Sequence, residues 1–360
     1  MTPPLPRADL DHVLAHTGEI WASVRGARIF LSGGTGFFGV WLAESFAHAN
    51  AQLELNAELT ILSRDPGAAV ARLPRLGQLG GVRFHRGDVR DFDLPAGQFT
   101  HVIHAAAESS QQGHVGDHRH MFDTIVDGTR HTLALARRAG ATNYLLVSSG
   151  AVYGPQPPDV SHVSEDFGGG PPLGTAGSAY GEGKRAAEVL AAIEADRSEL
   201  SVRVARCFAF VGPHLPLDAH FAIGNFLRDA MRGGPIVIRG DGTALRSYLY
   251  TADLTIWLWT LALGSSASGA YNVGSEHAMS ILDIARAVAT ECAPAAEVIV
   301  QGNPVPGRSP LRYVPSTTRA RVDLGLVQLV STTEAIARTA QWHGLTRSRS
   351  VDDVRAGQPP

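Results

Sequence analysis

The sequence predicts an α/β fold, a doubly wound parallel sheet that carries a smaller C-terminal lobe. From Arg28 onward, short β-branched runs alternate with Ala-rich stretches of helical spacing, the signature of repeated strand–helix–strand units. The candidate strands are apolar throughout, as strands covered on both faces should be. A chain of 360 residues with 44% apolar content can bury a full core, as two domains or as one large domain with a lobe.

Taken in order, residues 1–26 read as an N-terminal helical extension, a single helix over "ADLDHVLAHTGEIWASV" whose role is packing. The strands follow as "RIFLSG", "ELTILSR", "VRFHRGD", "THVIHAA", "YLLVSS" and "VRVARCFAF". Helical spacing marks "GVWLAESFAHAN", "MFDTIVDGTRHTLALARRAG" and "AYGEGKRAAEVLAAIEADR" between them. After about Pro213 the rhythm loosens into Gly- and Pro-rich segments, with helices expected near Ile223–Met231, Leu254–Leu263 and Ser280–Thr290. Residues 213–345 are therefore expected to be mainly a substrate-binding lobe over the C-terminal edge of the sheet, with some elements returning to it. The polar stretch 346–360 is expected to fray.

Composition narrows the function. The formal charge of -3 balances 31 basic against 34 acidic residues with no basic block, which argues against nucleic-acid binding. Cys207 and Cys292 are the only cysteines, which excludes a disulfide scaffold and fits a reducing, cytoplasmic setting. Asp9, Asp11 and Glu19 interrupt any secretory signal, and the longest apolar run, "LTIWLWTLALG", is about half a membrane span and reads as a buried helix. The histidine cluster "HVGDHRHMF" lacks a Cys or carboxylate at ligand spacing, so no metal is expected.

Directly after the first strand stands "GGTGFFG", with Gly33, Gly36 and Gly39 three residues apart and a helix opening behind them. In a strand–loop–helix context such glycines permit a tight turn, the approach of a pyrophosphate and close helix packing. The helix N-terminus adds free N–H groups and a positive dipole end for the phosphates. Residues 27–212 are thus expected to form an NAD(P)-binding Rossmann-type domain, with Gly33, Thr35, Gly36, Phe37, Phe38 and Gly39 against the cofactor. The second strand ends at Ser63 and Arg64, where a hydroxyl and an arginine suit a 2′-phosphate; this favours NADP over NAD, with Asp65 on the ribose as the alternative. Asp88 and Val89 stand where an adenine edge is read, and Ala105, Ala106 and Ala107 let the cofactor lie close.

"AYGEGKRAAE" carries Tyr180 and Lys184 four apart, on one face of a helix. Lys184 can lower the phenol's pKa and hold a ribose hydroxyl, while Tyr180 moves a proton to or from the oxygen of a carbon undergoing hydride transfer. With "VSSGAVYG" at the end of the fifth strand, "RCFAFVGP" and "GDGTALRSYLYTADL", the chain from Arg28 to Leu345 resembles the extended short-chain dehydrogenase/reductases, in particular their nucleotide-sugar epimerase/dehydratase branch. The resemblance implies catalytic Ser149, Tyr180 and Lys184, with Ser148 near the cofactor and Phe208 beside the nicotinamide. It also implies that Arg246 meets the nucleotide diphosphate, that Asn225 and Phe226 contact the sugar nucleotide, and that Arg308 or Arg312 adds a phosphate contact. A homodimer through a helix pair that includes the Tyr-Lys helix is implied in the same way.

Departures from the family pattern narrow the reaction. Dehydratases of the family carry an acid pair directly after the catalytic Ser/Thr, and decarboxylases keep the Glu; here those positions are Gly150 and Ala151. Eliminating water needs a base and an acid, so dehydration on this template is not expected. Ile125 and Ala209 stand where the family often has asparagines. The expectation is hydride transfer at C4 of a nucleotide-activated sugar, by a 4-keto-sugar reductase using NADPH. A 4-epimerase with tightly held NAD and a catalytically silent dinucleotide-binding protein are the alternatives.

Overall fold

The computed structural model describes residues 2–106, 117–219, 221–264 and 268–345. Ala107, the start of the histidine cluster and the stretch 346–360 lie outside them. A seven-stranded sheet organises the chain, built from β1 (Arg28–Ser32), β2 (Glu58–Ser63), β3 (Val82–Arg86), β4 (His101–His104), β5 (Asn143–Ser149), β6 (Ser201–Cys207) and the edge strand Gly269–Val273. The order across the sheet is Gly269–Val273, β6, β5, β4, β1, β2, β3, and every neighbouring pair is parallel. This is the Rossmann-type arrangement, and the strand order reverses between β1 and β4, where a crevice opens beyond the strand ends.

Side-chain alternation explains why the strands read as apolar on both faces. Ile29, Leu31, Leu59, Ile61, Ile103, Leu145 and Val147 enter one core, and Phe30, Val102, Tyr144, Leu146, Val202 and Val204 enter the other. Helices α2 (Phe37–Gln52), α4 (His118–Arg138) and α5 (Ala179–Arg197) supply the covering layers, with the short α3 (Pro66–Arg72) between β2 and β3.

The extension differs from the expected single helix. Helix α1 (Arg7–Thr17) gives way at Gly18 to a 3-10 stretch, Gly18–Val24, because glycine weakens the α-helix and the tighter turn continues the chain. This presents Trp21, fully buried, to Trp259 with ring centroids 4.7 Å apart. Asp9 of α1 is also buried, accepting from Tyr250 Oη at 2.6 Å and from Arg338 at 2.8 Å, so the extension is stitched to the C-terminal part of the chain.

Residues 213–345 do two things. Helix α6 (Ala222–Met231) and short strand pairs, among them Leu245–Arg246 with Arg312–Tyr313, build structure beside the C-terminal strand ends. Helix α7 (Thr251–Leu263) and the edge strand Gly269–Val273 return to the sheet. All of α7 except Thr260 is buried, which accounts for the long apolar run. Among the described residues no helix is long and apolar enough to cross a membrane, and no group of three or more His, Cys, Asp or Glu is placed to hold a metal ion.

Candidate active site

A cavity of about 850 Å³ lies beyond the C-terminal ends of the strands, and most of the residues singled out by sequence line it. At one end the glycine loop joins β1 to α2. Gly33 has φ +78°, and a β-carbon there would stand 2.6 Å from the Ala105 backbone. A β-carbon at Gly39 would lie 2.2 Å from the Gly33 carbonyl oxygen. These two glycines are required by the protein's own packing. Gly36 is different: its φ of -89° is open to any residue, and the nearest atom to an added β-carbon is 3.4 Å away. A glycine that the fold does not demand, at the N-cap of a helix facing a cavity, fits a ligand that approaches the backbone closely.

Thr35, Phe37 and Phe38 line the cavity with these glycines, as do Ser63, Arg64, Asp88, Val89, Ala105 and Ala106. Asp65 does not line it; its carboxylate accepts from the Ala68 N–H at 3.0 Å and caps α3. Asp88 is clasped by Arg90 at 2.8 and 3.0 Å, and that pairing holds its carboxyl below the usual range. Beneath the loop, Ser32 Oγ and His104 Nδ1 are 2.7 Å apart and tie the ends of β1 and β4 together. Burial pulls the His104 pKa down to about 3, so this imidazole is neutral.

At the other end, Ser149 closes β5 and caps the 3-10 turn Gly150–Tyr153, its Oγ accepting from the Ala151 N–H at 3.2 Å. Tyr180 and Lys184 stand on one face of α5 at its start, as their spacing requires, and both line the cavity with Ser149. Lys184 is buried and donates to the Val147 carbonyl at 2.7 Å; burial draws its pKa down to about 8. Burial also raises the Tyr180 phenol above its ordinary value, opposed by a hydrogen bond with Ser149. Ser148 lines the cavity, but its hydroxyl donates to Glu188 at 2.5 Å, and Glu188 is held by Arg206 at 2.7 Å. The strand end is thereby fixed from behind.

Phe208 and Arg246 line the cavity. Asn225, Phe226 and Arg308 do not. The Asn225 amide oxygen accepts from Arg228 at 2.9 Å, and Phe226 is buried in the core because Ile223, Phe226, Leu227 and Ala230 form the apolar stripe of α6. Arg308 is exposed and acts on Asp241, and Arg312 is likewise not among the lining residues.

Other lining residues escaped the sequence reading, among them Tyr313, Cys207 and Thr124. Tyr313 stacks on Phe208 with centroids 4.7 Å apart. Cys207, at the end of β6, is a neutral thiol whose pKa burial pushes up to about 12. Thr124 carries a buried hydroxyl with no protein partner among the described residues. Thr124 was within reach of sequence reasoning, since it directly precedes "IVDGT"; nothing local marks Tyr313.

The model of the NAD dependent epimerase/dehydratase family matches residues 29–274. Among curated proteins the chain is 32% identical over 224 residues to UDP-glucuronic acid decarboxylase 4 of Arabidopsis thaliana, covering 62% of this chain and 49% of that protein. It is 29% identical over 302 residues to UDP-glucuronic acid decarboxylase 5 of the same plant, covering 83% and 84%. The chain thus spans about half the length of some of these relatives and most of others. Among solved structures it is similar to the UDP-glucose 4-epimerase of Thermus thermophilus in complex with NAD, at 25% identity and TM-score 0.70, covering 89% of this chain and all (100%) of that one. A dTDP-glucose 4,6-dehydratase double mutant from Streptomyces venezuelae with NAD bound is similar at 25% identity and TM-score 0.73, covering 89% and 98%. With the sheet order, the glycine loop and a family match over more than half of the chain, the protein belongs to the NAD-dependent epimerase/dehydratase family.

Proposed function

We propose that the chain reduces the 4-keto group of a nucleotide-activated sugar, with NADPH as the hydride donor. The observation that carries this reading is a cluster of hydroxyls, Ser149, Tyr180 and Tyr313, next to Gly150 and Ala151, which bring no carboxylate. Such a site suits interconversion of an alcohol and a ketone. It does not suit elimination or decarboxylation on the family's template, although curated relatives are decarboxylases.

The cofactor, when bound, supplies a hydride to the sugar's carbonyl carbon. Tyr180 then gives its proton to the carbonyl oxygen, while Ser149 holds that oxygen with a hydrogen bond. Lys184 holds a ribose hydroxyl and stabilises the phenolate that the step leaves behind. Gly33, Thr35, Gly36, Phe37, Phe38 and Gly39 cradle the pyrophosphate. Ser63 and Arg64 line the adenosine end while Asp65 is engaged in capping α3, which supports a 2′-phosphate over a free ribose. Arg246 would meet the substrate's diphosphate. A homodimer is part of the reading, supported by Val189 and Ile193, 58% and 41% exposed on α5.

A second reading, a nucleotide-sugar 4-epimerase with tightly held NAD, is favoured by the similarity to UDP-glucose 4-epimerase with NAD and needs the same three residues. The experiment is to identify the cofactor in the purified protein and to follow NADPH oxidation on nucleoside-diphospho 4-keto sugars. Tyr180→Phe should lower turnover at least about a hundredfold while cofactor affinity stays within about threefold. Stoichiometric NAD(H) that survives dialysis, with no NADPH oxidation on any 4-keto sugar, would exclude the reductase in favour of the epimerase.

A further inference from the structure

A second arginine reaches the cofactor end of the cavity from behind its lining. Arg72 is the last residue of α3, and its Nη2 donates to the Thr35 carbonyl at 2.9 Å. Thr35 lines the cavity within the glycine loop, directly before Gly36, the glycine that packing does not demand. Helix α3 starts two residues after Arg64, which lines the same cavity beyond the end of β2. A helix of 7 residues spans about 10 Å, so one short element carries an arginine from each of its ends to the wall of one crevice.

The charge on Arg72 has no counterion within the described residues. Arg28 and Arg83 pair with Glu58, and Arg90 pairs with Asp88, but no described carboxylate lies within ion-pair distance of Arg72. The acids of this region are engaged elsewhere: Asp65 caps α3, and Asp88 is clasped by Arg90. A guanidinium carries five N–H donors in a planar fork. The Thr35 carbonyl, a neutral acceptor, takes one of them, and the rest of the fork suits an oxyanion.

We propose that Arg72 is a second phosphate-binding residue of the cofactor site and that, with Arg64, it brackets the 2′-phosphate of NADP(H). The inference rests on the reading of the cofactor as NADP(H) and adds a cation to it. A phosphate monoester carries about 1.5 to 2 negative charges near pH 7, more than one guanidinium balances. The pyrophosphate is served by backbone N–H groups of the loop and the α2 N-terminus, whereas α3 leaves from the adenosine end. NAD lacks the 2′-phosphate, so Arg72 acts on the choice between the two dinucleotides.

The test is isothermal titration of the full chain with NADP and with NAD, for the parent, Arg72→Gln and Arg72→Lys. Glutamine keeps an N–H for the Thr35 carbonyl and removes the charge; lysine keeps the charge. Arg72→Gln should weaken NADP about tenfold and NAD less than about twofold, and Arg72→Lys should return NADP to within about threefold of the parent. Arg72 is exposed, so the NADP penalty in Arg72→Gln should shrink as salt is raised, which the loss of a packing contact would not do. Equal losses of NADP and NAD, or unchanged NADP affinity in Arg72→Gln, overturn the proposal while a parent that prefers NADP leaves the cofactor reading intact. A parent that binds NAD more tightly than NADP overturns the cofactor reading and the bracket together. No sugar is needed, so the result is independent of the reaction at C4.

Discussion

The two ends of the cavity are built in opposite ways. At the cofactor end, the glycine loop, Ser63, Arg64, Asp88 and Ala105 each leave the C-terminal end of a strand in one parallel sheet, so the sheet order alone brings them together. At the end proposed for the sugar, Gly150, just beyond β5, meets Phe208, just beyond β6, and Tyr313, which arrives beside Arg246 on a short strand pair outside the main sheet. The first end is a property of the fold and is shared wherever the fold occurs. The second depends on how particular side chains divide a small volume, which is where relatives of one fold separate in their chemistry.

Two glycines of one loop separate packing from ligand approach. Gly39→Ala forces a β-carbon to 2.2 Å from the Gly33 carbonyl and should destabilise the cofactor-free protein by about 3 kcal/mol. Gly36→Ala, with 3.4 Å available, should leave that stability within about 1 kcal/mol yet weaken dinucleotide binding about a hundredfold. Thermal melts without cofactor and fluorescence titration with it separate the two effects. Normal binding by Gly36→Ala would mean that the loop is a structural turn and no cradle.

The same contrast explains what sequence reasoning could reach. The glycine loop, the strand ends and the Tyr180–Lys184 spacing are contiguous strings whose geometry follows from helix and strand periodicity. Asp65 could also have been placed, since an Asp directly before Pro66 at the start of a helix is an N-cap signature. So could Phe226, whose i, i+3, i+4 spacing with Ile223 and Leu227 marks a core face; its assignment to the substrate came from the resemblance and gave way to periodicity. Tyr313 was beyond reach, because its value lies in meeting Gly150 and Phe208, and no local pattern carries that contact.

A smaller effect sharpens the cofactor end. Arg64→Ala should weaken NADP binding about tenfold, or about 1.4 kcal/mol, while changing NAD binding by less than about twofold. Isothermal titration with both cofactors reads the difference. Equal losses would leave Arg64 without a role at the 2′ position and would move the proposed reaction toward the NAD-dependent epimerase.

The smallest effect probes the sheet beneath that end. Folding lowers the His104 pKa from 6.5 to about 3, so between those values the unfolded chain binds a proton that the folded chain refuses. Stability is therefore fully present above pH about 6.5 and is lost as pH falls toward 3. Over the first pH unit below 6.5 this one group should cost about 1 kcal/mol. His101 and His214, each drawn down to about 4 by burial, act in the same direction, so the whole protein's slope is steeper than one proton. His104→Asn removes one titrating group and should flatten the urea-unfolding free energy against pH by that increment, leaving the His101 and His214 contributions in place. If the variant keeps the parent's slope, the Ser32–His104 link does not refuse the proton, and the rigidity of the cofactor end must come from the glycine packing alone.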